Sequence, residues 1–366
     1  MKGNQAFSAL GTGRRLRELA LELRDALALR TDGRRRRPTA SGGAGQLAAP
    51  FGGPPRGEMR RVEAFATEQG GEIARLGTAR GIAQGGGGGN PLIQEANRLD
   101  SQGATKEARA IFRRVIDSAA TPQARAAAQR AMAMSYGFDG DCANTVKYEE
   151  MVIDYWKTRE QAEPQNAFYQ QGEMANEAAR ICIDVGEIEV AEKLYRRGTE
   201  LGLREPEPKT HPVNLWNYRL AHALARVSAR KGDAAQAKQH VAEARRALDS
   251  DTTMAKAQER FFPYLTGYVA LYTNNLSVAE ADLTRALAIQ GNANDPFMHV
   301  LLAMTYEKMG QPDKAKALYG KAYGMATAHN PPSAFARPFT RKKLGLPKPI
   351  ASHLQTRPHR AIVEFN

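Results

Sequence analysis

The sequence has few of the residues and segments that mark several common protein classes. Its 366 residues contain only two cysteines, which excludes the disulfide-dense scaffolds of small secreted domains. No apolar run approaches the roughly 20 residues that span a bilayer. No apolar stretch behind a basic start marks a secretory signal at the N-terminus. The chain as written therefore predicts neither a transmembrane segment nor a signal peptide.

Motifs that carry catalysis are also missing. The seven histidines are scattered, and none forms a zinc-binding spacing such as His-Glu-x-x-His. The nucleophile elbow, the phosphate-binding loop and the dinucleotide fingerprint do not occur either. The five glycines at 85–89 lack the Lys-Ser/Thr of a phosphate cradle and are typical of a flexible linker. We therefore expect no catalytic residue, no metal and no cofactor.

Positive charge is concentrated at the two ends of the chain. Residues 1–90 carry 15 Lys and Arg against 8 Asp and Glu, and residues 337–366 carry 7 against 1. These two segments account for the whole net charge of +13, so the segment between them is neutral. Because a nucleic-acid footprint should lie on a folded face, we expect no specific nucleic-acid binding.

The first ninety residues are unsuited to forming a core. They hold 19 of the 33 glycines and four consecutive arginines at 34–37, so they cannot bury enough apolar surface to offset the entropy of ordering. We predict a disordered basic arm over residues 1–89. Leu16, Leu19 and Leu23 follow helical spacing there, which fits either a transient helix or a membrane-surface helix.

The end of this arm leaves the localisation open. The run Gly81-Ile82-Ala83-Gln84 is typical of the start of a mature exported bacterial protein, because signal peptidase cuts after a small residue. One interpretation is a soluble protein without a signal peptide. The alternative is a periplasmic or secreted protein whose leader precedes Gln84 and whose residues 1–83 are not the natural leader.

From residue 90 onward the sequence is periodic. A glycine is followed five positions later by a small residue and four positions after that by a bulky one. The copies are Gly103-Ala108-Phe112, Gly186-Ala191-Tyr195, Gly232-Ala237-Val241 and Gly310-Ala315-Tyr319, with a weaker copy at Asn274-Ala279-Leu283. Recurrence at intervals of about 34 to 46 residues predicts a solenoid of helical hairpins.

These units resemble tetratricopeptide repeats, and the chain is similar to exported bacterial proteins of that family. The last unit matches best, through Tyr306, Gly310, Ala315, Tyr319 and Ala322. The resemblance implies an all-α, right-handed superhelical solenoid of about six hairpins over residues 90–345. The units start near Gly89, Ala126, Gly172, Tyr218, Arg260 and Pro296. We expect lengthened loops at 155–164 and 203–212, a capping helix at 334–344 and a basic tail at 346–366.

The two cysteines fall at corresponding ends of neighbouring helices. Cys142 follows the turn at Gly140, whereas Cys182 lies four residues before the turn at Gly186. Both should therefore lie at the same end of adjacent helices, where a disulfide is geometrically reasonable. Two buried thiols are the alternative.

The resemblance also implies a binding groove lined by the first helix of each hairpin. Carried onto this chain, the groove positions of the third to fifth units give Asn176, Arg180, Arg219, His222, Arg226, Tyr264 and Tyr268. Arginine forks suit carboxylates, and tyrosine supplies rigid contact area. The alternative is a solvated helix face with ordinary ion pairs.

The sequence thus predicts a non-catalytic scaffold that binds a protein or peptide in its groove. The expected ligand has an anionic segment or a C-terminal carboxylate. Two alternatives remain at this point. One is a membrane- or nucleic-acid-associated protein that makes contact through its basic ends. The other is an accessory enzyme built on the repeat scaffold.

Overall fold

The computed structural model describes residues 90–347, and every regular element in that range is helical. The helices are α1 (Pro91–Gln102), α2 (Thr105–Asp117), α3 (Pro122–Phe138), α4 (Cys142–Lys157), α5 (Pro164–Val185), α6 (Ile188–Leu203), α7 (Val213–Arg230), α8 (Ala234–Asp249), α9 (Thr252–Gln258), α10 (Phe262–Tyr272), α11 (Leu276–Ala288), α12 (Pro296–Lys308), α13 (Pro312–Met325) and α14 (Pro331–Lys343). A short 3-10 helix, Glu259–Phe261, joins α9 to α10. The predicted arm and all of the predicted tail beyond residue 347 lie outside the described residues.

Consecutive helices pack as hairpins. The pairs are α1 with α2, α3 with α4, α5 with α6, α7 with α8, α10 with α11 and α12 with α13. We call the first helix of each hairpin its A helix and the second its B helix. Each B helix also packs against the A helix of the hairpin that follows it. The described residues therefore form the all-α repeat solenoid that the sequence predicts.

The local sequence explains where these helices begin. Proline stands in the first turn of α1, α3 and α12, where a helix has no use for the missing N–H group. Asn90, Thr121 and Asp295 precede these helices, and each side chain accepts a hydrogen bond from a backbone N–H of the first turn. The same chemistry, with Asn330 as the cap, begins α14.

The turn glycine of the repeat ends the A helix in a left-handed conformation. Gly103 follows α1 with φ 87°, and Gly186 follows α5 with φ 98°; residues with a Cβ adopt this region only at a cost. Asn274 takes the same place after α10 with φ 62°. Asparagine is one of the few other residues that tolerates this conformation, so the weaker fifth copy still makes its turn.

The small positions of the repeat lie where helices approach closely. Ala108, Ala191, Ala237, Ala279 and Ala315 are all buried. In the second unit Thr145 and Glu149 replace the small and the bulky residue, and both are buried as well. The Thr145 hydroxyl donates to backbone carbonyls of Ala133 and Asp141. The Glu149 carboxyl lacks any such partner among the described residues, so this unit has a polar group in its core.

The predicted start of the third unit, Gly172, is wrong as a helix start. The helix α5 begins eight residues earlier, at Pro164, and runs to Val185. Gly172 instead allows α5 to approach α6. A Cβ atom built on it would lie 2.7 Å from the Gly198 carbonyl oxygen and 2.5 Å from the Trp216 ring. The residues beyond a 34-residue repeat therefore lengthen A helices as well as loops.

The predicted loops are only partly correct for the same reason. Residues 155–157 extend α4 to Lys157, whereas residues 204–212 do form a loop between α6 and α7. The buried Glu205 carboxylate holds that loop together. It accepts hydrogen bonds from the Thr210 backbone N–H and hydroxyl, and it lies 2.8 Å from His211 Nδ1.

Cys142 and Cys182 form a disulfide in the structure, with Cα atoms 4.9 Å apart. Cys142 is the first residue of α4, and Cys182 lies in the last turn of α5. The bond therefore links the second and third hairpins at one end, and both cysteines are buried.

The C-terminal helix makes more contacts than a cap requires. As predicted, α14 packs on the last hairpin, α12 and α13. It also packs on three A helices at the other end of the described chain, α1, α3 and α5. The helix α14 therefore joins the last hairpin to the first three. Within residues 90–347, no helix is both long and apolar enough to cross a membrane.

Candidate functional site

The A helix of the fourth hairpin, α7, presents a row of polar residues to its neighbours. His222, Arg226 and Arg230 follow one another at a spacing of four, which places them on one side of the helix. Four tyrosines of α6 and α10 surround them. We call this group the arginine–tyrosine cluster. Its members are Arg180, Asp184, Tyr195, His222, Arg226, Arg230, Tyr264, Tyr268 and Tyr272.

Arg226 lies at the centre of the arginine–tyrosine cluster. One of its terminal nitrogens donates to the Tyr264 hydroxyl at 3.3 Å and the other to the Tyr195 hydroxyl at 3.1 Å. Its guanidinium also lies 5.9 Å from the centre of the Tyr268 ring. Only 5% of the residue is exposed, and no carboxylate of the described residues lies within salt-bridge distance. The hydrogen-bond acceptors of this buried guanidinium are thus neutral phenols, and the negative charge of Asp184 acts on it only from a greater distance.

Arg230 forms the more accessible part of the cluster. It is half-buried, donates to the Tyr268 hydroxyl at 3.5 Å and lies 4.8 Å above the Tyr272 ring. Tyr268 and Tyr272 are neighbours on α10, with ring centres 4.6 Å apart. Aromatic rings that receive a cation in this way stabilise it through the ring quadrupole.

His222 is a neutral group inside the cluster. The residue is fully buried, and neither ring nitrogen has a hydrogen-bond partner among the described residues. Burial lowers the pKa of His222 well below its usual value, and the charges of Arg226 and Arg180 lower it further. Its ring lies 5.5 Å from that of Tyr264. The imidazole therefore offers one donor and one acceptor without adding charge.

Asp184 is the acidic group of the cluster. Burial raises the pKa of its carboxyl to about 6, against the opposing effect of Arg180, Arg226 and Arg230. Its Oδ2 atom is buried and has no hydrogen-bond partner within residues 90–347. The positive charges of three arginines therefore favour the ionised form of the Asp184 carboxyl, but burial leaves a fraction of it protonated near neutral pH.

Arg180 connects the cluster to the last hairpin. Its guanidinium lies 5.2 Å from the centre of the Phe297 ring in α12, and Phe297 also packs against Tyr264. Asp295, which caps α12, is buried, and burial raises the pKa of its carboxyl while Arg180 opposes that rise. The third and sixth hairpins thus approach each other beside the cluster.

A tetratricopeptide repeat model matches residues 298–329, which cover most of α12, all of α13 and the turn between them. The last of the six hairpins is thus similar to a tetratricopeptide repeat. Among solved structures, the chain is similar to a thermophilic tetratricopeptide repeat protein of Thermus thermophilus. The two are 20% identical, the match covers 58% of this chain and 100% of that one, and the TM-score is 0.35. No curated protein matches the chain in sequence.

Five of the predicted groove residues lie together in the cluster: Arg180, His222, Arg226, Tyr264 and Tyr268. Two others do not. The Asn176 side chain lies against Gly198 of α6, because a Cβ on that glycine would meet its oxygen at 2.5 Å. Arg219 forms a salt bridge with Glu173 at 2.6 Å and stacks on Trp216 at 4.9 Å. For Arg219 the structure therefore shows the ordinary ion pair that was the alternative to a groove position.

The pair of Arg219 and Glu173 belongs to a second polar group of the helical solenoid. Nearby, Arg130 of α3 forms a salt bridge with Glu177 of α5 at 2.6 Å. The buried Glu149 lies in the same field, and burial followed by the charge of Glu177 raises its pKa well above the usual value. Within residues 90–347, no group of histidines, cysteines and carboxylates is arranged to hold a metal ion.

Sequence reasoning missed Asp184, Arg230 and Tyr272. Each lies four residues after a predicted groove residue, namely Arg180, Arg226 and Tyr268. Residues four apart are neighbours on a helix face, so extending each row by one turn is the signal that would have found them. Tyr195 lies on a B helix and was assigned only to the core; its hydroxyl nevertheless reaches Arg226.

Proposed function

We propose that the arginine–tyrosine cluster binds an anionic segment of a protein partner, such as a peptide's C-terminal carboxylate. The chain would then be a non-catalytic interaction scaffold. Tetratricopeptide repeats point to a protein partner in general, and the chemistry of this cluster narrows the ligand to one that carries negative charge.

The observation that carries this proposal is the state of Arg226. A buried arginine is normally paired with a carboxylate, because an uncompensated charge in a low-dielectric interior is unfavourable. Among the described residues, the hydrogen-bond acceptors of Arg226 are the phenolic oxygens of Tyr195 and Tyr264. A ligand carboxylate would replace neutral acceptors with a charged one, and charge-assisted hydrogen bonds are about twice as strong as neutral ones.

The charges around Arg226 favour the same ligand. Arg180, Arg226 and Arg230 act on Asp184, whose pKa of about 6 leaves its negative charge weakly held. Bringing one anion into this field relieves the repulsion among the three guanidinium groups. The Tyr268 and Tyr272 rings beside them supply rigid contact area for the neighbouring peptide residues.

Access to the buried part of the cluster leads past its half-buried members. Asp184, Arg230 and Tyr272 are each partly exposed, whereas His222, Arg226 and Tyr264 are buried. An incoming carboxylate would meet Arg230 first and Arg226 second. The two unpartnered ring nitrogens of His222 offer the ligand a further hydrogen bond.

A titration with peptides of known end groups tests this proposal. The probe is a fluorescent pool of random hexapeptides with free C-terminal carboxylates, compared with the same pool amidated. We expect the full chain to bind the free-acid pool and Arg226→Gln to bind it about 10- to 150-fold more weakly, because one charge-assisted contact contributes about 1.5–3 kcal/mol.

The matched control is Arg196→Gln. Arg196 lies on the B helix α6 and pairs with Glu192 on the same helix at 2.7 Å. The Arg196→Gln substitution removes the same charge from a half-exposed position outside the cluster. The affinity for the free-acid pool should therefore equal that of the unmodified chain. Equal binding of the free-acid and amidated pools, or equal losses in both variants, contradicts the proposal.

A further inference from the structure

The C-terminal helix lies on a surface built by the first three hairpins. We call residues 329–343 the clasp and the surface beneath them the receptor face. The receptor face comprises Asp100 and Ser101 of α1, Met134, Gly137 and Phe138 of α3, and Ile181 of α5. The clasp also packs on α12 and α13, so its two sides contact opposite ends of the described chain.

Two polar contacts hold the clasp to α1. His329 Nε2 lies 2.8 Å from Asp100 Oδ2, and the Asp100 side chain is fully buried. Arg337 Nε donates to the Ser101 carbonyl at 2.8 Å. These two contacts join residues 229 and 236 positions apart in the chain. The His329 ring also lies against Phe138, with ring centres 5.5 Å apart. The clasp is thus held to α1 by hydrogen bonds rather than by extensive apolar burial.

The apolar contact between the clasp and the receptor face is small. Ala334 packs with Met134, Phe138 and Ile181 in a cluster of four buried residues. A Cβ built on Gly137 would lie 3.6 Å from the Ala334 Cβ. A glycine facing an alanine lets the two helices approach closely, but it contributes little apolar area. The larger aromatics of the clasp, Phe335 and Phe339, pack instead toward the last hairpin.

The clasp is a weak helix on its own. Two of its residues, Pro331 and Pro332, begin α14, and Pro338 lies inside it. An internal proline removes the hydrogen bond to the carbonyl four residues earlier and disfavours the helix by about 3 kcal/mol. The clasp is therefore helical because it is docked, and it belongs to the part of a fold that opens locally first.

The seam beside the clasp is not close-packed. A cavity of about 350 Å³ lies between the α1–α2 turn, the end of α3 and the clasp. Three carboxylates and one lysine line it on the side of the first hairpins, namely Asp100, Lys106, Glu107 and Asp139, and Arg337 and Arg341 line it on the side of the clasp. Lys106, Glu107 and Asp139 are exposed, so the cavity is a surface cleft in which mainly acidic side chains of the first hairpins face the two arginines of the clasp.

From these contacts we infer that the receptor face is a binding site for a basic, alanine-containing helix of a partner protein, and that the clasp is its intramolecular competitor. The inference rests on the proposed scaffold function and adds a second surface to it, distinct from the arginine–tyrosine cluster. It commits to a helical ligand, because a helix already occupies the face.

The occupant defines the chemistry of this partner helix. The helix α14 has four basic residues and no acidic one. Two of them, Arg337 and Arg341, line the cavity together with Asp100, Glu107 and Asp139, of which Asp139 also pairs with Arg109. The contacts of α14 need a small residue where Ala334 faces Gly137. They also need an arginine three residues later, where Arg337 donates to the Ser101 carbonyl. A partner helix with this pattern makes the same contacts. Its binding free energy is reduced only by the free energy needed to release the clasp.

A labelled copy of the clasp tests the inference on the full chain. The probe is a fluorescent peptide with the sequence of residues 328–346, amidated at its C-terminus so that it lacks the carboxylate that the arginine–tyrosine cluster is proposed to bind. His329→Gln and Arg337→Ala each remove one contact with α1. The double variant Gly137→Cys, Ala334→Cys locks the clasp, because a Cβ–Cβ distance of 3.6 Å suits a disulfide. Lys343→Gln is the matched control, since Lys343 pairs with Glu307 of the last hairpin.

We expect the loosened variants to bind the peptide at least tenfold more tightly than the unmodified chain and Lys343→Gln to bind like the unmodified chain. The locked variant should not bind until reductant is added, and the unmodified chain with the same reductant serves as its reference. Amide hydrogen exchange of residues 331–343 should accelerate in His329→Gln and Arg337→Ala without a matching change in α7 and α10.

Two results overturn the inference. One is rapid exchange of the clasp without peptide binding, which would mean that the released face has no affinity for a helix. The other is clasp exchange that occurs only with global unfolding in every variant, which would make α14 a permanent part of the core. Arg226→Gln should leave peptide binding unchanged, so failure of the carboxylate proposal and failure of this one are separable.

Discussion

Asp100 and His329 are 229 positions apart in the sequence, and their side chains meet at 2.8 Å. Asp100 Oδ1 also accepts a hydrogen bond from the Ser135 hydroxyl, so the same carboxylate ties α1, α3 and the clasp together. Burial raises the pKa of Asp100, and the bond from His329 opposes that rise. The clasp thus joins the first hairpin to the last one, in addition to the stack of hairpins between them.

The disulfide should contribute substantially to stability. Cys142 and Cys182 enclose a loop with a sequence separation of 40, for which chain entropy gives about 3–4 kcal/mol. We expect the double substitution Cys142→Ser, Cys182→Ser to lower the urea midpoint accordingly. The urea midpoint of the unmodified chain should fall by a similar amount when reductant is present during unfolding. Equal midpoints with and without reductant would show that the loop is already constrained in the unfolded chain.

The contact between α5 and α6 should tolerate no added methyl group. We expect Gly172→Ala to destabilise the fold by about 1–3 kcal/mol, because its Cβ would press on a backbone carbonyl and on the Trp216 ring. Gly320→Ala in α13 is the control. Nothing lies within 4 Å of its Cβ, so this change should stabilise the helix by about 0.5–1 kcal/mol. Thermal unfolding of the two variants checks the prediction, and equal effects would contradict it.

Glu149 should make stability depend on pH. Burial holds its folded-state pKa well above the usual value. The folded state therefore binds an extra proton between the unfolded pKa, near 4.3, and the raised folded pKa. Over that window this carboxyl lowers the free energy of unfolding as the pH rises, by up to about 1.4 kcal/mol for each pH unit.

The substitution Glu149→Gln isolates this effect. The amide has nearly the same shape and does not ionise, so the variant should gain stability over the unmodified chain as the pH rises from 5 to 8. Urea midpoints at four pH values in this range provide the measurement. The exposed Glu187→Gln controls for the loss of one negative charge. A constant difference across the range would mean that Glu149 does not titrate in that window.

Asp184 should compete with an anionic ligand. Because its carboxylate acts on Arg180, Arg226 and Arg230, replacing it with asparagine should tighten binding of free-acid peptides by about tenfold, equivalent to 1.4 kcal/mol. In the unmodified chain the same gain should appear as the pH falls through about 6, where Asp184 takes up a proton. Fluorescence titrations of the unmodified chain and of Asp184→Asn at pH 5 and 7.5 check the effect of the substitution and the effect of pH. Weaker binding by Asp184→Asn would show that this carboxylate orients the arginines instead.

The sequence predicted the features that repeat and missed those that arise from how the repeats stack. The turn glycines and the small residues recur because each hairpin solves the same packing problem, so Ala191 and Ala315 are readable from spacing alone. The partner of Arg219 follows from stacking. Glu173 lies 46 positions earlier, which is one repeat, and equivalent positions of adjacent hairpins meet.

The placement of α14 could not be read in this way. Its second interface depends on how far six hairpins turn, and this turn depends on helix lengths such as the 22 residues of α5. Asp100 carries no sequence signal, since a single aspartate near the end of an amphipathic helix is ordinarily exposed. Asp100 is covered when the clasp docks on α1 and places His329 against it.

A double-mutant cycle between the protein and its ligand tests the central claim most directly. The four affinities are those of the unmodified chain and Arg226→Gln, each for one free-acid peptide chosen from the pool and for its amide. The account predicts a coupling energy of at least about 1.5 kcal/mol between Arg226 and the ligand carboxylate. A coupling energy near zero, with both proteins showing the same preference between the two peptides, would contradict it.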